Sequence, residues 1–437
     1  MRCVIDLQGA QGASRFRGIG RYCLELARAM ARLPDGHELW ICLSGAFTDQ
    51  VERIRAAFDG LIPPDHIVVY GVPSPCTEMD PGNEWRARAA EKVREGFLEG
   101  LKPDLVFLPS LFEGWCDDSV TSIGSFARNL PTAAVLYDLI PLLRPGEDLP
   151  DPRHRAWYER KLRGLRTAEL LTAISESSRA EAIEHAGIPE SRVVNIGCGV
   201  DPQFRPLSLD PQRRSTLRHQ YGIVGDFVMY SGAVDSRKNL GGLIDAFALL
   251  PSFLRRSHQL VIVGAHSTGA REQLLDRAQV AGLAQKSVVL TGYVSDDDLI
   301  ALYNECALFV LPSFHEGFGL PAAEAMACGA PTIGSNVTSI PEVIERQDAL
   351  FDPNQPRAIA GKMEEVLTND VLRRDLREHG LSRSKQFTWE HSARKAWLAF
   401  EELHDRRTQD KSHRLIHYPS MEGPRKRLAY FSPLAPI

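Results

Sequence analysis

In the stretch "HEGFGLPAAEAMACGAP" (315–331) two glutamates, Glu316 and Glu324, stand eight residues apart. An ionised carboxylate only accepts hydrogen bonds, and its two oxygens can take a pair of neighbouring hydroxyls. Two carboxylates on one groove could therefore hold two sugar rings, one a hexose and the other the ribose of a nucleotide. The competing reading is that Glu324 only complements a helix dipole and Glu316 is a solvated loop residue. A second stretch, "YSGAVDSRKNLGGLIDAF" (230–247), sets Arg237 and Lys238 side by side after Gly232. Adjacent cations at a helix start suit a diphosphate, the arginine as a planar fork and the lysine as a point charge. An ordinary surface pair is the alternative. Gly18 and Gly20, in "SRFRGIGRYCLELARAMARL" (14–33), precede an amphipathic pattern. Without a third glycine they fit a plain βα turn as well as a phosphate loop. In "TAAVLYDLIPLLRP" (132–145), Tyr137 and Asp138 end a strand. Asp138 could orient an acceptor hydroxyl or cap the turn.

The elements that must carry these residues alternate along the chain. Apolar runs expected as strands are 3–7, 39–43, 104–109, 132–137, 170–175 and 193–197, then 227–232, 260–264, 287–292, 308–312 and 331–335. Continuous runs with helical patterns between them predict parallel strands buried on both faces, in open doubly wound sheets. The Pro-, Gly- and Asp-rich stretch 197–215 divides two such series and reads as a hinge. Ligands bind where the C-terminal strand ends face a cleft. In the second series a strand ends at Pro312, and Gly317 and Gly319 permit a tight turn. Pro321 suits the first position of a helix running through Ala322 to Cys328, with Gly329 as its stop. That places Glu324 in the first helical turn. No repeat shorter than a domain is expected.

The stretch "SFHEGFGLPAAEAMACGAPTIGS" resembles the E-x7-E signature of glycosyltransferase family 4, and the likeness runs over roughly 1–405. The resemblance implies the GT-B fold: two Rossmann-like doubly wound domains facing a central cleft, in an α/β chain. It implies a retaining, metal-independent hexosyl transfer from a nucleotide sugar. Glu316 would contact the donor hexose, and Glu324 the ribose. The backbone of Gly317, Phe318, Gly319 and Leu320 would line the sugar site. Arg237 and Lys238 would hold the diphosphate, and Asp138 would join Glu316, Arg237 and Lys238 as catalytic. Gly18, Gly20, Gly232, Tyr293 and Val294 complete the donor-binding set. "RGIGRY" resembles the opening of bacterial mannosyltransferases that build O-antigen and other surface polysaccharides, so α-mannose from GDP-mannose is the implied donor group. The acceptor would be lipid-linked or an oligosaccharide. Alternatives are another nucleotide hexose, a deoxyhexose such as rhamnose, or a degenerate, non-catalytic sugar-nucleotide-binding module of a larger polymerase. Two departures stand out: Ala233 where many members have arginine, and Tyr137 where many have histidine. The expected divisions are an acceptor domain at 1–198, a donor domain at 199–386, a helix at 387–407 returning to the first domain, and a linker at 408–437.

Composition narrows the class. The 437 residues suit two or three domains. A net charge of −5 gives no basic surface for nucleic acid. Eight cysteines without a C-x-x-C pair read as reduced, buried thiols. The N-terminus reads as a strand rather than a signal peptide, and no run approaches the ~20 apolar residues of a membrane span. A cytoplasmic location, peripheral at the inner membrane, is expected. Asp296 and Asp298 are spaced like a metal-binding pair, but after Ser295 they read as helix-capping residues, and no catalytic metal or cofactor is expected. "KRLAYFSPLAPI" (426–437) reads either as the start of a further glycosyltransferase module or as a docked tail.

Overall fold

A strand whose apolar residues run without polar alternation has no face to give to water, so both faces must be covered. The computed structural model, which describes residues 1–33 and 35–416, shows this arrangement twice. The terminal stretch 426–437 lies outside the described residues. In the first lobe, β1 (Arg2–Asp6), β2 (Glu38–Ser44), β3 (Ile67–Tyr70), β4 (Leu105–Leu108), β5 (Thr132–Leu136), β6 (Leu170–Ala173) and β7 (Val193–Asn195) form one sheet. Its order is β3-β2-β1-β4-β5-β6-β7. In the second lobe are β8 (Asp226–Ser231), β9 (His258–Val263), β10 (Val288–Gly292), β11 (Leu308–Leu311), β12 (Thr332–Ser335) and β13 (Leu350–Phe351). Their order is β10-β9-β8-β11-β12-β13. Every pairing is parallel. These are the two Rossmann-like sheets of a GT-B fold. The expected strands are recovered within about two residues, while the edge strands β3 and β13 were not foreseen. Both are short, and edge positions carry less of the buried pattern.

Six helices matter below: α1 (Gly18–Arg32), α2 (Pro211–Tyr221), α3 (Leu240–Leu249), α4 (Asp296–Glu305), α5 (Leu320–Ala327) and α6 (Trp389–Ile416). The stretch after β7 crosses to the second lobe and ends in α2. Asp210 caps α2 by accepting from the Arg213 N–H at 2.8 Å. Arg214 of α2 pairs with Glu305 of α4 at 2.7 Å, so the end of the expected hinge is already bound to the second lobe. The chain crosses back before α6. There the Val200 N–H donates to the Phe387 carbonyl at 2.9 Å, and a Cβ on Gly199 would lie 2.4 Å from the Trp389 ring. The crossing therefore needs glycine. α6 lies on the first lobe: the Trp397 indole donates to the Met30 carbonyl at 3.2 Å, and Phe400 meets Phe107 edge-on at 5.0 Å. α6 runs to Ile416, so residues 408–416, expected as linker, are helical. Nothing between Trp389 and Ile416 is Gly or Pro, and no stop signal interrupts the helix.

All eight cysteines are free, and all but Cys116 are buried. Among the described residues no helix is long and apolar enough to cross a membrane.

Candidate active site

β11 delivers the chain to Pro312 and Ser313 at the C-terminal edge of the second sheet, and the loop to Gly319 then feeds α5. Gly319 sits before the helix at φ +104°, a conformation open to glycine and costly to other residues. Glu316 is buried in this loop. The Lys238 ammonium donates to its two oxygens at 2.7 and 2.8 Å, the Ser313 hydroxyl donates to one of them at 2.7 Å, and Arg237 stands 3.6 Å away. Burial alone would raise this carboxyl. Lys238, Arg237 and Ser313 outweigh it and hold the group below its ordinary value.

Arg237 and Lys238 lie on a single 3-10 turn, Ser236–Lys238, which Asp235 caps by accepting from the Arg237 N–H. Asn239 follows in a left-handed conformation and its amide donates to the carbonyls of Pro312 and Pro353. The Phe314 N–H donates to the Arg237 carbonyl at 2.9 Å. The cation turn and the glutamate loop are thus one hydrogen-bonded unit, and Lys238 is buried rather than an ordinary surface charge. Gly232 follows β8 at φ +142°, where a Cβ would crowd the Tyr230 hydroxyl at 2.8 Å. Ala233 after it is exposed.

Glu324 lies elsewhere than expected. α5 begins at Leu320, ahead of Pro321, so Glu324 is its fifth residue and lies in the second turn. A charge there is past the reach of the helix dipole. Glu324 is instead buried, accepting from the Tyr303 hydroxyl at 3.2 Å and facing Arg21 of α1 at 3.4 Å. Burial raises its carboxyl to about 7, against the lowering effect of Arg21 and Tyr303. Arg21 also pairs with Asp296 at 3.2 Å. It was not foreseen, although it directly follows Gly20 in "RGIGRY".

Gly18 and Gly20 form the opening turn of α1, not a loop before it, because two 3-10 turns (Gln8–Ala10 and Ala13–Phe16) already fill that loop. A Cβ on Gly20 would lie 2.5 Å from the Ser14 carbonyl oxygen, whereas one on Gly18 would stand 3.8 Å from Leu320 across the cleft. The lobes also meet at Gly317, where a Cβ would come within 2.6 Å of the Tyr137 carbonyl oxygen and 3.2 Å of Asp138 Oδ2. The Gly317 carbonyl accepts from the hydroxyls of Ser175 and Ser178 at 2.6 and 3.1 Å. These serines, which follow β6, were also missed.

Asp138 does cap its turn, accepting from the Ile140 N–H at 3.1 Å, while its other oxygen faces Gly317. Burial raises its carboxyl. The Tyr137 ring packs edge-on against Tyr22, and its hydroxyl is 3.4 Å from the Cys23 sulfur. Its backbone, not its ring, therefore meets the loop at Gly317. Phe318 packs edge-on against Phe387 and Val294 is buried, so both side chains are packed away, while Tyr293 is 81% exposed. Ser295 caps α4 by accepting from the Asp298 N–H at 3.2 Å. Asp298 accepts from Tyr221 at 2.7 Å and Asp296 turns to Arg21, so the two carboxylates serve separate partners.

Several buried carboxylates escaped the sequence reading, among them Glu113. Glu113, in the loop after β4, accepts from the hydroxyls of Ser110 and Ser14. A signal for it exists: "LVFLPSLFEG" (105–114) and "LFVLPSFHEG" (308–317) are a repeat, one copy per lobe. With one copy in each lobe, this match recurs at the scale of a domain and adds no repeat shorter than one.

Comparison with known proteins gives two complementary family matches: Glycosyltransferase Family 4 over residues 16–204, and Glycosyl transferases group 1 over residues 215–383. A serotype-specific mannosyltransferase of Escherichia coli is 37% identical over 406 residues, covering 92% of this chain and 48% of that protein. The chain thus spans about half the length of that relative. The O-antigen chain mannosyltransferase B of the same species is 28% identical over 393 residues, covering 88% of this chain and 96% of that one. Among solved structures, sucrose-phosphate synthase of Thermosynechococcus elongatus aligns with a TM-score of 0.68 at 19% identity, covering 92% of this chain and 98% of that one.

Proposed function

The chain belongs to glycosyltransferase family 4, and on that premise we propose that it moves an α-mannosyl group from GDP-mannose onto a growing bacterial surface polysaccharide such as O-antigen, with retention and without a metal ion. The observation that carries this reading is the buried pair Glu316 and Lys238 with the part-buried Arg237 beside it, on the same cleft as Glu324 and Arg21. In the proposal Arg237 and Lys238 take the diphosphate and stabilise the charge that grows on it as the sugar leaves. Glu316 holds the hexose and Glu324 the ribose. The backbone from Gly317 to Leu320, with Gly18, Gly20, Gly232, Tyr293 and Val294, completes the donor site. Asp138 faces the acceptor, and the donor phosphate takes the proton of the attacking hydroxyl. The mannosyl assignment draws support from the two mannosyltransferase relatives and from "RGIGRY".

The domain division proposed with this function is 1–198 for the acceptor side and 199–386 for the donor side, with the helix from 387 on the first domain. A cytoplasmic location, peripheral at the inner membrane, belongs to the same proposal, as do a lipid-linked or oligosaccharide acceptor and further modules in a longer protein. A donor screen by mass spectrometry on a synthetic mannoside acceptor tests the reading. GDP-mannose should be the donor consumed, with one hexose added. Transfer from a different sugar nucleotide would overturn the mannosyl assignment, and the absence of both transfer and donor hydrolysis would favour the non-catalytic module.

A further inference from the structure

β4 and β11 hold equivalent places, each beside the first strand of its own sheet. Each runs into one copy of the repeat, and each copy folds the same way. The Ser110 hydroxyl donates to Glu113 at 2.6 Å, as the Ser313 hydroxyl donates to Glu316 at 2.7 Å. The two carboxylates are equally hidden, 5% and 6% exposed. They differ in what else holds them. Glu316 takes a cation, Lys238; Glu113 takes a second hydroxyl, that of Ser14, at 2.9 Å.

Ser14 sits on the 3-10 turn Ala13–Phe16 that leads into Gly18 and Gly20. The Ser14 carbonyl oxygen and the Arg15 α-carbon press on Gly20 so closely that no Cβ fits there, and Gly18 faces Leu320 of the donor loop. A second grip backs the first: Asp117 accepts from the Ala13 N–H. The loop carrying Glu113 is itself fixed, since Gly114 at φ +93° lies against the Ser119 carbonyl with no room for a Cβ. Contacts thus run from Glu113 through Ser14 to Gly20, and Gly18, two residues before it, lies where a Cβ would just reach Leu320 of the facing loop.

We propose that Glu113 is a positioning residue, holding Ser14 so that the glycine turn is set against the donor loop, and that donor affinity depends on this hydrogen bond although Glu113 does not touch the donor. The inference rests on the reading that the glycine turn faces the donor's phosphates.

The test uses the full chain, with GDP and guanosine affinities measured by calorimetry for wild type, Glu113→Ala, Glu113→Gln, Ser14→Ala and the double alanine variant. Glu113→Ala and Ser14→Ala should each weaken GDP about tenfold, as loss of one hydrogen bond to a charged group implies. Guanosine affinity should hardly change. The double variant should be no weaker than either single one, because both remove the same bond. Glu113→Gln offers the two serines one oxygen and one amide N–H, so Ser14 keeps a hydrogen-bond partner, as donor or with its hydroxyl turned to accept, and the variant should bind GDP nearly as wild type does. Unchanged GDP affinity in Ser14→Ala, or additive losses in the double variant, would overturn the proposal. Ser14→Ala and Glu113→Gln keep it testable if Glu113→Ala does not fold. Wild type binding no nucleoside diphosphate would instead sink the donor reading, and this proposal with it.

Discussion

Arg21, on the first helix of one lobe, stands 3.4 Å from the carboxylate of Glu324 on α5 of the other. With Asp296 on its far side, this arginine ties the glycine turn to two helices of the second lobe. Together with the bonds from Ser175 and Ser178 to Gly317, it holds the lobes against each other at the donor loop. His315 Nε2 lies 2.7 Å from Glu181, Glu342 accepts from the N–H groups of Glu176 and Ser177, and Ser236 bonds to Arg144 and Glu147, so opening breaks a set of contacts between the lobes of which the Arg21–Glu324 pair is one.

Arg21→Ala should therefore favour the open arrangement. Solution scattering at saturating GDP should give a larger radius of gyration for the variant than for wild type. Equal radii would assign closure to contacts other than this pair.

The Glu316–Lys238 pair is buried on both sides, so breaking it should be costly in a way that removing it is not. Lys238→Met leaves a buried carboxylate with the Ser313 hydroxyl and, at 3.6 Å, the Arg237 cation beside it, and should destabilise the fold by about 3 kcal/mol. Adding Glu316→Gln should recover much of that loss. Urea denaturation of the two variants checks this, and a double variant less stable than Lys238→Met would contradict it.

Lys238 is also assigned to the diphosphate. Lys238→Ala should weaken GDP by roughly 1–3 kcal/mol while changing guanosine little. Equal losses for both ligands would remove Lys238 from the phosphate site. EDTA should leave transfer intact; activity lost on chelation and restored by a divalent ion would overturn the metal-independent reading.

Glu324 gives a pH dependence with a definite sign. Burial lifts its carboxyl from 4.5 to about 7 in the native protein. Between those values the unfolded chain has lost the proton that the native chain keeps, so stability falls as pH rises through that window. Above pH 7 the cost reaches about 3 kcal/mol. Glu324→Gln should escape it, so its stability advantage over wild type should be greater at pH 8 than at pH 5. Denaturation midpoints at the two pH values decide the matter, and an advantage that shrinks with pH would contradict it.

The parallel sheets were legible because buried strands leave a continuous apolar signature, which Leu308–Leu311 and Leu105–Leu108 both carry. Gly329 as a helix stop and Ser295 as a cap were legible because each has a local cause: a positive φ of +81° and an N–H needing an acceptor. The start of α5 was not, since Pro fits both the first and the second helical position. The partners of the charged residues were least legible. Nothing near Glu324 in sequence announces Arg21, three hundred residues away and on the other lobe. Glu113 was readable in principle, through the match of 105–114 to 308–317, but the residues after Gly114 lack the Gly and Pro that follow Gly317 and mark its loop and helix. Helical continuation past 408 was hidden by its polar composition, which suits an exposed helix as well as a linker.

The most direct test of the central claim is the steady-state kinetics of Glu316→Gln with GDP-mannose and a synthetic mannoside acceptor. The substitution keeps the side chain's size and removes the charge that Lys238 and Arg237 balance. Wild type should transfer mannose, and the folded variant should lose kcat by about a hundredfold or more with donor KM changed only a few-fold, the pattern of an interaction made mainly in the transition state. A variant with wild-type kcat, or one whose defect lies wholly in donor KM, would contradict the account.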